Sequence, residues 1–299
     1  MLSEEKYLGK VPVSVAIITK NEEENIRFCL QSISFVGQIV VVDSGSTDAT
    51  LSIAAEFGCE IYCEVWRGFG PQKQSAIEKC RQPWILVLDA DERIPPDTAN
   101  IIKKIVTDSN VKEAGFSFPR KNYFQGRWIK HAGWWPDRII RLFRKEAGRM
   151  TTAIVHESVE VQGMVGALDA AIEHYTESRL GKIIQKIDKY STLGAEAAFR
   201  EGKRSSTGGA FMRAFFTFVQ DYFFRLGILD GMPGLTLAVT DSINKFFKYA
   251  KLSELVKINR GDGAPPAGAG GSCPKYDIPR IAERIQSPAE EEDVLRRGK

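Results

Sequence analysis

The chain has 299 residues and a formal net charge of +3, from 41 Lys and Arg against 38 Asp and Glu. That near balance excludes the strongly basic surface of a nucleic-acid binder, and the length allows one large domain with an appended segment. The five cysteines, Cys29, Cys59, Cys63, Cys80 and Cys273, lack zinc-ligand spacing and read as buried thiols of a reducing compartment. Met1-Leu2-Ser3-Glu4-Glu5-Lys6 has no cationic stretch followed by an apolar core, so no signal peptide is expected and the cytoplasm is the default location.

Residues 13–18 (Val-Ser-Val-Ala-Ile-Ile) form an apolar, β-branched run ending in Thr19-Lys20-Asn21-Glu22-Glu23-Glu24. A helical pattern with Ile26, Leu30 and Ile33 on one face follows, which predicts Asn21 as N-cap with three glutamates in the first turn. A second run, Ile39-Val40-Val41-Val42, ends in Asp43-Ser44-Gly45-Ser46-Thr47-Asp48 and precedes a helix through Leu51, Ile53, Ala54 and Phe57. A weaker strand over residues 60–65 leads through Gly68-Phe69-Gly70-Pro71-Gln72-Lys73 into a helix with Ala76, Ile77 and Cys80.

The fourth run, Trp84-Ile85-Leu86-Val87-Leu88, ends in Asp89-Ala90-Asp91-Glu92. Side chains at i and i+2 of a strand point to one side, so Asp89 and Asp91 can face one pocket and hold a divalent cation, itself a holder of diphosphate. An isolated Asp-x-Asp is more often a turn with a helix cap. Four strand–helix units in sequence predict a doubly wound, mostly parallel α/β sheet, and each polar cluster falls at the carboxyl edge where such sheets bind ligands.

The ordered set Thr19-Lys20-Asn21-Glu22, Asp43-Ser44-Gly45-Ser46-Thr47-Asp48 and Leu88-Asp89-Ala90-Asp91-Glu92 resembles the nucleotide-sugar-binding half of glycosyltransferase family 2. The resemblance continues through Trp135-Pro136-Asp137-Arg138, Arg141-Leu142-Phe143-Arg144 and Val155-His156-Glu157 to the subgroup that adds glucose to the inner core of lipopolysaccharide, and covers roughly residues 12–250. It implies a single Rossmann-like domain of the A type and an inverting, metal-dependent transfer with Mn²⁺ or Mg²⁺. It further implies that Thr19, Asn21 and Glu22 line the nucleoside pocket, Glu22 near the ribose, and that Asp43 accepts a hydrogen bond from uracil. Ser46 and Asp48 would support that loop, although Ser46 reads equally as the cap of the next helix. Gln72 and Lys73 would border the base or the phosphates, with a solvated-helix role for Lys73 as the competing reading. Asp89 belongs near ribose or the metal, and Asp91 is the expected direct ligand.

Inversion also requires a base for the acceptor hydroxyl. The candidates are Glu157 and Asp137, and the family pattern favours Glu157. His156 either reaches the metal or diphosphate, positions Glu157, or is structural. Asp137 has a competing explanation in an ion pair with Arg138 or Arg141. Arg138, Arg141 and Arg144 suit diphosphate or an anionic acceptor, and Trp128, Trp134 and Trp135 are either a sugar-stacking wall or core.

The expected domains are a catalytic domain over residues 10–175, a helical, membrane-surface segment over 176–258, and a linker with disordered tail over 259–299, including a short helix near Arg280 to Ile285. The middle segment is rich in Phe and has 14 Lys and Arg against 8 Asp and Glu from Tyr175 to Arg260, but no uncharged stretch long enough to cross a bilayer. Interfacial attachment to an anionic leaflet fits that composition, and packing on the catalytic domain or in a homo-oligomer competes with it.

The leading expectation is therefore transfer of a hexose, glucose from UDP-glucose, onto a lipid-anchored core acceptor at the cytoplasmic face of the inner membrane. Alternatives are a polyprenyl-phosphate or other surface-polysaccharide transferase, a sugar nucleotidyltransferase (disfavoured by the lack of a Gly-rich, basic loop after the first strand), and a membrane-bound scaffold.

Overall fold

The computed structural model describes residues 9–151, 158–176 and 179–260. They form two compact units: one holds the described residues up to Asn122 together with those of 136–175, the other holds Tyr123–Trp135 and the described residues from Thr176 on. The segment Tyr123–Trp135 groups with the helices of the second unit.

In the first unit β1 (Val11–Thr19), α1 (Ile26–Ser32), β2 (Val36–Asp43), α2 (Thr50–Glu56), β3 (Glu60–Cys63), α3 (Phe69–Glu78) and β4 (Trp84–Asp89) alternate as the hydrophobic runs predict. Next come β5 (Glu92–Arg93), α4 (Pro96–Thr107), β6 (Gly115–Phe124), whose last two residues belong to the second unit, and β8 (Asp137–Arg144). The intervening β7 (Arg127–Trp128) lies in the second unit. The first unit closes with β9 (Gly148–Met150), β10 (Val159–Val161), β11 (Val165–Ala167) and β12 (Ile172–Tyr175).

The main sheet has the order β3-β2-β1-β4-β8-β6-β12-β5. Strands β1 to β4 pair in parallel, whereas β8 is antiparallel to both β4 and β6, and β12 is antiparallel to β5. The sheet is therefore mixed, and the expectation of a mostly parallel sheet describes its N-terminal half only. Val13, Val15 and Ile17 pack on one face with Ile26 and Leu30 of α1 and Ile102 of α4, while Ala16 and Ile18 pack on the other with Ala76 and Ile77 of α3. Burial on both faces is why these strands appear as unbroken apolar runs rather than alternating ones.

The α1 helix starts later than predicted. Asn21 has φ +56° and its N-cap role passes to Asn25, so the three glutamates precede the helix instead of filling its first turn. The left-handed conformation, which Asn tolerates better than most residues, turns the chain at the end of β1. Gly68 (φ +102°) does the same before α3, where an L side chain would be strained.

The second unit has a hairpin of Tyr123–Phe124 with β7, then α5 (Leu180–Arg200), α6 (Thr207–Val219) and α7 (Gly231–Arg260). Phe124, Ile129, Ala132, Trp134 and Leu237 form its core around the hairpin loop. A π turn (Gln220–Phe224) and a 3-10 turn (Gly227–Asp230) join α6 to α7. No helix among the described residues is long and apolar enough to cross a membrane.

Candidate active site

The carboxyl edge of the parallel strands gathers the predicted residues from four separate loops. Thr19 ends β1 and is buried, with a hydroxyl that has no hydrogen-bond partner; its carbonyl accepts from Ser44 N at 3.0 Å. Asn21 Oδ1 accepts from Thr47 N at 2.8 Å, and Asn21 N donates to Ser46 Oγ at 2.9 Å. Glu22 N donates to Thr50 Oγ1 at 2.8 Å, and a Glu22 carboxylate oxygen accepts from Asn25 Nδ2 at 2.9 Å. These bonds lock the first two loops together.

Asp43 is buried at the end of β2. Its Oδ2 accepts from Gly45 N (2.8 Å) and Ser46 N (2.9 Å), and its Oδ1 accepts from the Ser46 hydroxyl. Ser46 therefore belongs to the loop and not to the cap of α2. The N-cap of α2 is Ala49, and Asp48 just before it accepts from the Thr50 amide at 3.0 Å and from the Thr50 hydroxyl. Burial works to raise the Asp48 pKa, but the hydrogen bonds from Thr50, together with those from the Glu23 and Asp48 backbone, hold the carboxyl below its ordinary value.

Lys73 is the largest departure from a surface reading. It is 2% exposed, and its Nζ lies 2.8 Å from Asp89 Oδ1. A buried ammonium needs a paired anion, and the last residue of β4 supplies it. Gln72, one position earlier on α3, is completely buried with neither amide atom hydrogen-bonded.

Asp89 is also bonded through Oδ2 to Arg141 Nη2 at 2.5 Å. Arg141 Nη2 meets Glu92 Oε1 at 2.6 Å, Arg120 Nη1 meets the same oxygen at 3.3 Å, and Arg120 Nε and Nη2 bind Asp137 Oδ2 at 2.9 and 2.7 Å. Charges thus alternate from Lys73 through Asp89, Arg141, Glu92 and Arg120 to Asp137. Glu92 is fully buried and also accepts from Asp89 N at 3.1 Å, which fixes the backbone of the acidic turn. Asp137 does pair with an arginine, but the partner is Arg120, directly opposite it in the β6–β8 ladder, and not Arg138 or Arg141. Arg138 instead donates to Leu168 O (2.8 Å) and Asp169 (3.1 Å). Arg144 donates to Val111 O (2.8 Å) and Glu113 O (3.3 Å) and lies over the Trp84 ring, away from the acidic turn.

Asp91 stands apart from Asp89. Its Oδ2 faces His174 Nε2 at 3.2 Å, and His174 Nδ1 meets Asn122 Oδ1 at 2.7 Å. The imidazole is brought there by register, since His174 pairs with Glu92 in the β5–β12 ladder. Asp89 and Asp91 therefore have different partners, two cations for one and an imidazole for the other. His174, Asn122, Arg120 and the buried Glu92 carboxylate form part of the site without having been singled out for it in the sequence. His174 lies in a short Glu-His-Tyr strand with no motif around it, and only the fold places it here. Beneath the turn, Cys29 Sγ is 3.7 Å from Asp89 O. Burial, then the Glu92, Asp91 and Asp89 carboxylates, push that thiol well above its ordinary pKa.

Glu157 and His156 lie outside the described residues. Trp134 is buried against Phe124 and Trp128 packs edge-to-face on Trp135 at 5.1 Å, all within the second unit.

A parallel half-sheet with an acidic, lysine-bearing carboxyl rim, continued by antiparallel strands, is the arrangement of an A-type, Rossmann-like glycosyltransferase. The model for the family described as glycosyl transferase family 2 matches residues 14–165. The lipopolysaccharide core biosynthesis glycosyltransferase LpsC of Rhizobium meliloti is 32% identical over 256 residues, covering 82% of this chain and 93% of that protein. An uncharacterized glycosyltransferase of Rickettsia typhi, RT0209, is 26% identical over 81% of this chain and 87% of its own length. Among solved structures, TarS of S. aureus in complex with UDP-GlcNAc aligns over 83% of this chain and 92% of that chain at 14% identity, with a TM-score of 0.41. The chain belongs to glycosyl transferase family 2 and is a glycosyltransferase.

Proposed function

We propose that the protein is an inverting, metal-dependent transferase that moves a hexose, glucose from UDP-glucose, onto a lipid-anchored core acceptor of the lipopolysaccharide type, at the cytoplasmic surface of the inner membrane. The similarity to LpsC supports the acceptor class. One observation carries the donor chemistry: Asp91 and His174 face each other 3.2 Å apart beside a turn whose other aspartate holds two cationic side chains.

The donor set suits a divalent cation. With Asn122 presenting Oδ1, the neutral imidazole donates through Nδ1, and the Nε2 lone pair then points at the Asp91 carboxylate. Two acceptors at that distance require a positive charge between them, either a proton or a metal ion. Asp91 and His174 would supply one oxygen and one nitrogen to such a cation and leave its other positions to diphosphate oxygens and water; among the described residues no group of three His, Cys, Asp or Glu could hold it alone. A cation bound there would act as a Lewis acid toward the leaving diphosphate. His156, His174 and Asp89 are the remaining candidates for its surroundings, with Asp91 the direct ligand.

The other roles follow from the chain's own groups. Asp43 Oδ1 accepts a single hydrogen bond and keeps a lone pair for the imide N–H of uracil. Thr19, with its unpartnered hydroxyl, and Asn21 and Glu22 border the nucleoside. Asp89 holds Lys73 and Arg141 in place at the diphosphate edge, and Gln72 contributes a buried amide that needs a partner. Arg138 and Ser46 stay in the proposal as outer supports of the donor. Glu157 serves as the base that deprotonates the acceptor hydroxyl. Asp137 is the weaker candidate because two Arg120 nitrogens already occupy one of its oxygens. A homo-oligomer remains compatible with this reading.

The test is a donor screen that measures UDP release from several UDP-sugars with truncated lipopolysaccharide cores as acceptors. Metal-dependent release with UDP-glucose is expected; release with no sugar nucleotide, or equal release after chelation, overturns the proposal. Glu157→Gln should remove transfer and spare UDP binding, whereas inactivity of Asp137→Asn alone would move the base to Asp137.

A further inference from the structure

The connection between α6 and α7 has its polarity reversed. Phe223, Phe224, Leu226, Ile228, Leu229 and Met232 are exposed, Phe224 by 81% and Met232 by 70%. The two acids of the same stretch are buried instead. Asp221 pairs with Arg225 Nη1 at 3.0 Å, and Asp230 accepts from the backbone N–H groups of Lys130 (3.3 Å) and His131 (2.9 Å) and meets His131 Nδ1 at 3.1 Å. A surface turn ordinarily keeps its acids in water and its aromatics inside. Here six large apolar side chains face outward within ten residues, a concentration that marks an interaction surface.

The backbone reinforces the pattern. Leu226 has φ +59°, a conformation suited to Gly or Asn and costly for a branched aliphatic residue. A leucine that is both strained and 48% exposed gains nothing inside its own fold. Its side chain is of use only to something that covers it.

Charge identifies what covers it. From residue 202 to 240 the only acids are the buried Asp221 and Asp230, while Lys203, Arg204, Arg213 and Arg225 are all exposed. The outward surface is therefore apolar and cationic; the exposed Glu201 at its edge is paired with Lys203 at 2.5 Å, which leaves Arg204, Arg213 and Arg225 as its cations. The exposed Phe211, Phe215 and Phe216 of α6 extend it. A monolayer of anionic lipid matches both properties, with headgroups for the cations and acyl chains for the rings. No described helix can span the bilayer, so the occupancy is shallow.

We propose that the α6–α7 connection is a wedge that inserts into an anionic lipid leaflet, with Phe223, Phe224, Leu226 and Leu229 among the acyl chains and Arg204 and Arg213 at the headgroups. The wedge rests on the membrane-surface reading of the proposed function and adds the inserting residues and the lipid charge. It does not depend on the sugar or the acceptor.

The full chain is floated through a density gradient with vesicles of phosphatidylethanolamine and phosphatidylglycerol, or of phosphatidylcholine alone. The parent should float with the anionic vesicles and much less with the neutral ones. The triple variant Phe223→Ser, Phe224→Ser, Leu229→Ser should lose about tenfold or more in partitioning, and Arg204→Gln, Arg213→Gln should lose the preference for anionic lipid. Thermal melting checks the fold, and the single Phe224→Ser variant replaces the triple one if that fails to fold. A parent that stays at the bottom, a wedge variant that floats like its parent, or a dimeric parent that this variant makes monomeric each overturns the proposal, the last in favour of a second copy as occupant. Absent UDP release with intact flotation would sink the transferase reading and leave the wedge standing.

Discussion

His174 Nε2 faces Asp91 Oδ2 at 3.2 Å while its other ring nitrogen is held by Asn122 Oδ1 at 2.7 Å. A ligating histidine is commonly fixed through its second nitrogen in this way, and loss of such a partner typically costs ten- to a hundredfold in metal affinity. His174→Ala should therefore abolish the effect of Mn²⁺ on UDP affinity while leaving metal-free UDP binding close to the parent's. Asn122→Ala should weaken the metal effect by about tenfold. Titration calorimetry with UDP, with and without the cation, checks both. An unchanged metal effect in His174→Ala would remove the histidine from the metal set.

Asp89 and Asp91 should differ in stability. Asp89 neutralises a lysine that is 2% exposed and an arginine side chain that is 5% exposed. Removing its charge takes the Asp89 anion from Lys73 and leaves Arg141 to Glu92, a loss on the order of 3–5 kcal/mol when one member of a buried pair is removed. Asp91→Asn leaves His174 to reorganise and should cost about 1 kcal/mol or less. Denaturant unfolding of the two variants should separate them clearly. Equal losses would mean that the Lys73–Asp89–Arg141 network is not what holds the rim.

Gln72 offers the converse case. A buried amide without a partner carries a desolvation penalty of about 1–3 kcal/mol, and both of its amide atoms lack one. Gln72→Leu should leave the melting temperature unchanged or raise it, and should weaken UDP-sugar binding by about tenfold if the amide finds its partner in the donor. A destabilised variant with normal binding would assign the amide to packing instead.

The strand–helix alternation was legible because Val13, Val15 and Ile17 are buried on one face and Ala16 and Ile18 on the other, which leaves continuous apolar runs. The antiparallel half was not, since β6 and β8 carry charged residues such as Arg120 and Arg141 that are buried only through partners on other strands. Asn21 and three following glutamates imitate a helix start, but the left-handed turn at Asn21 delays the helix to Ile26. Asp89-Ala90-Asp91 advertised a paired site, yet periodicity cannot tell that one aspartate faces cations and the other an imidazole. His174 enters only through the β5–β12 register, 83 residues from the aspartate it meets.

The cysteines give a prediction in pH. Cys63 is exposed at the end of β3, opposite Asp43, whereas burial pushes the Cys59 and Cys80 thiols up to about 12. Thiolate, not thiol, reacts with disulfide reagents, so in a Cys273→Ser background the native chain should label at Cys63 while Cys59 and Cys80 stay inert. UDP should slow that labelling if the base sits against Asp43. The same burial sets a sign for stability. The unfolded chain loses these protons from pH about 9 and the folded chain retains them to about 12, so between those values the unfolded state holds fewer protons and stability falls as pH rises. Below about pH 8 the two thiols contribute no slope. Denaturation midpoints across that window should therefore drop more steeply for the parent than for a Cys59→Ala, Cys80→Ala variant, whatever the absolute stability of either. Parallel slopes would mean that these thiols ionise as readily in the fold as out of it.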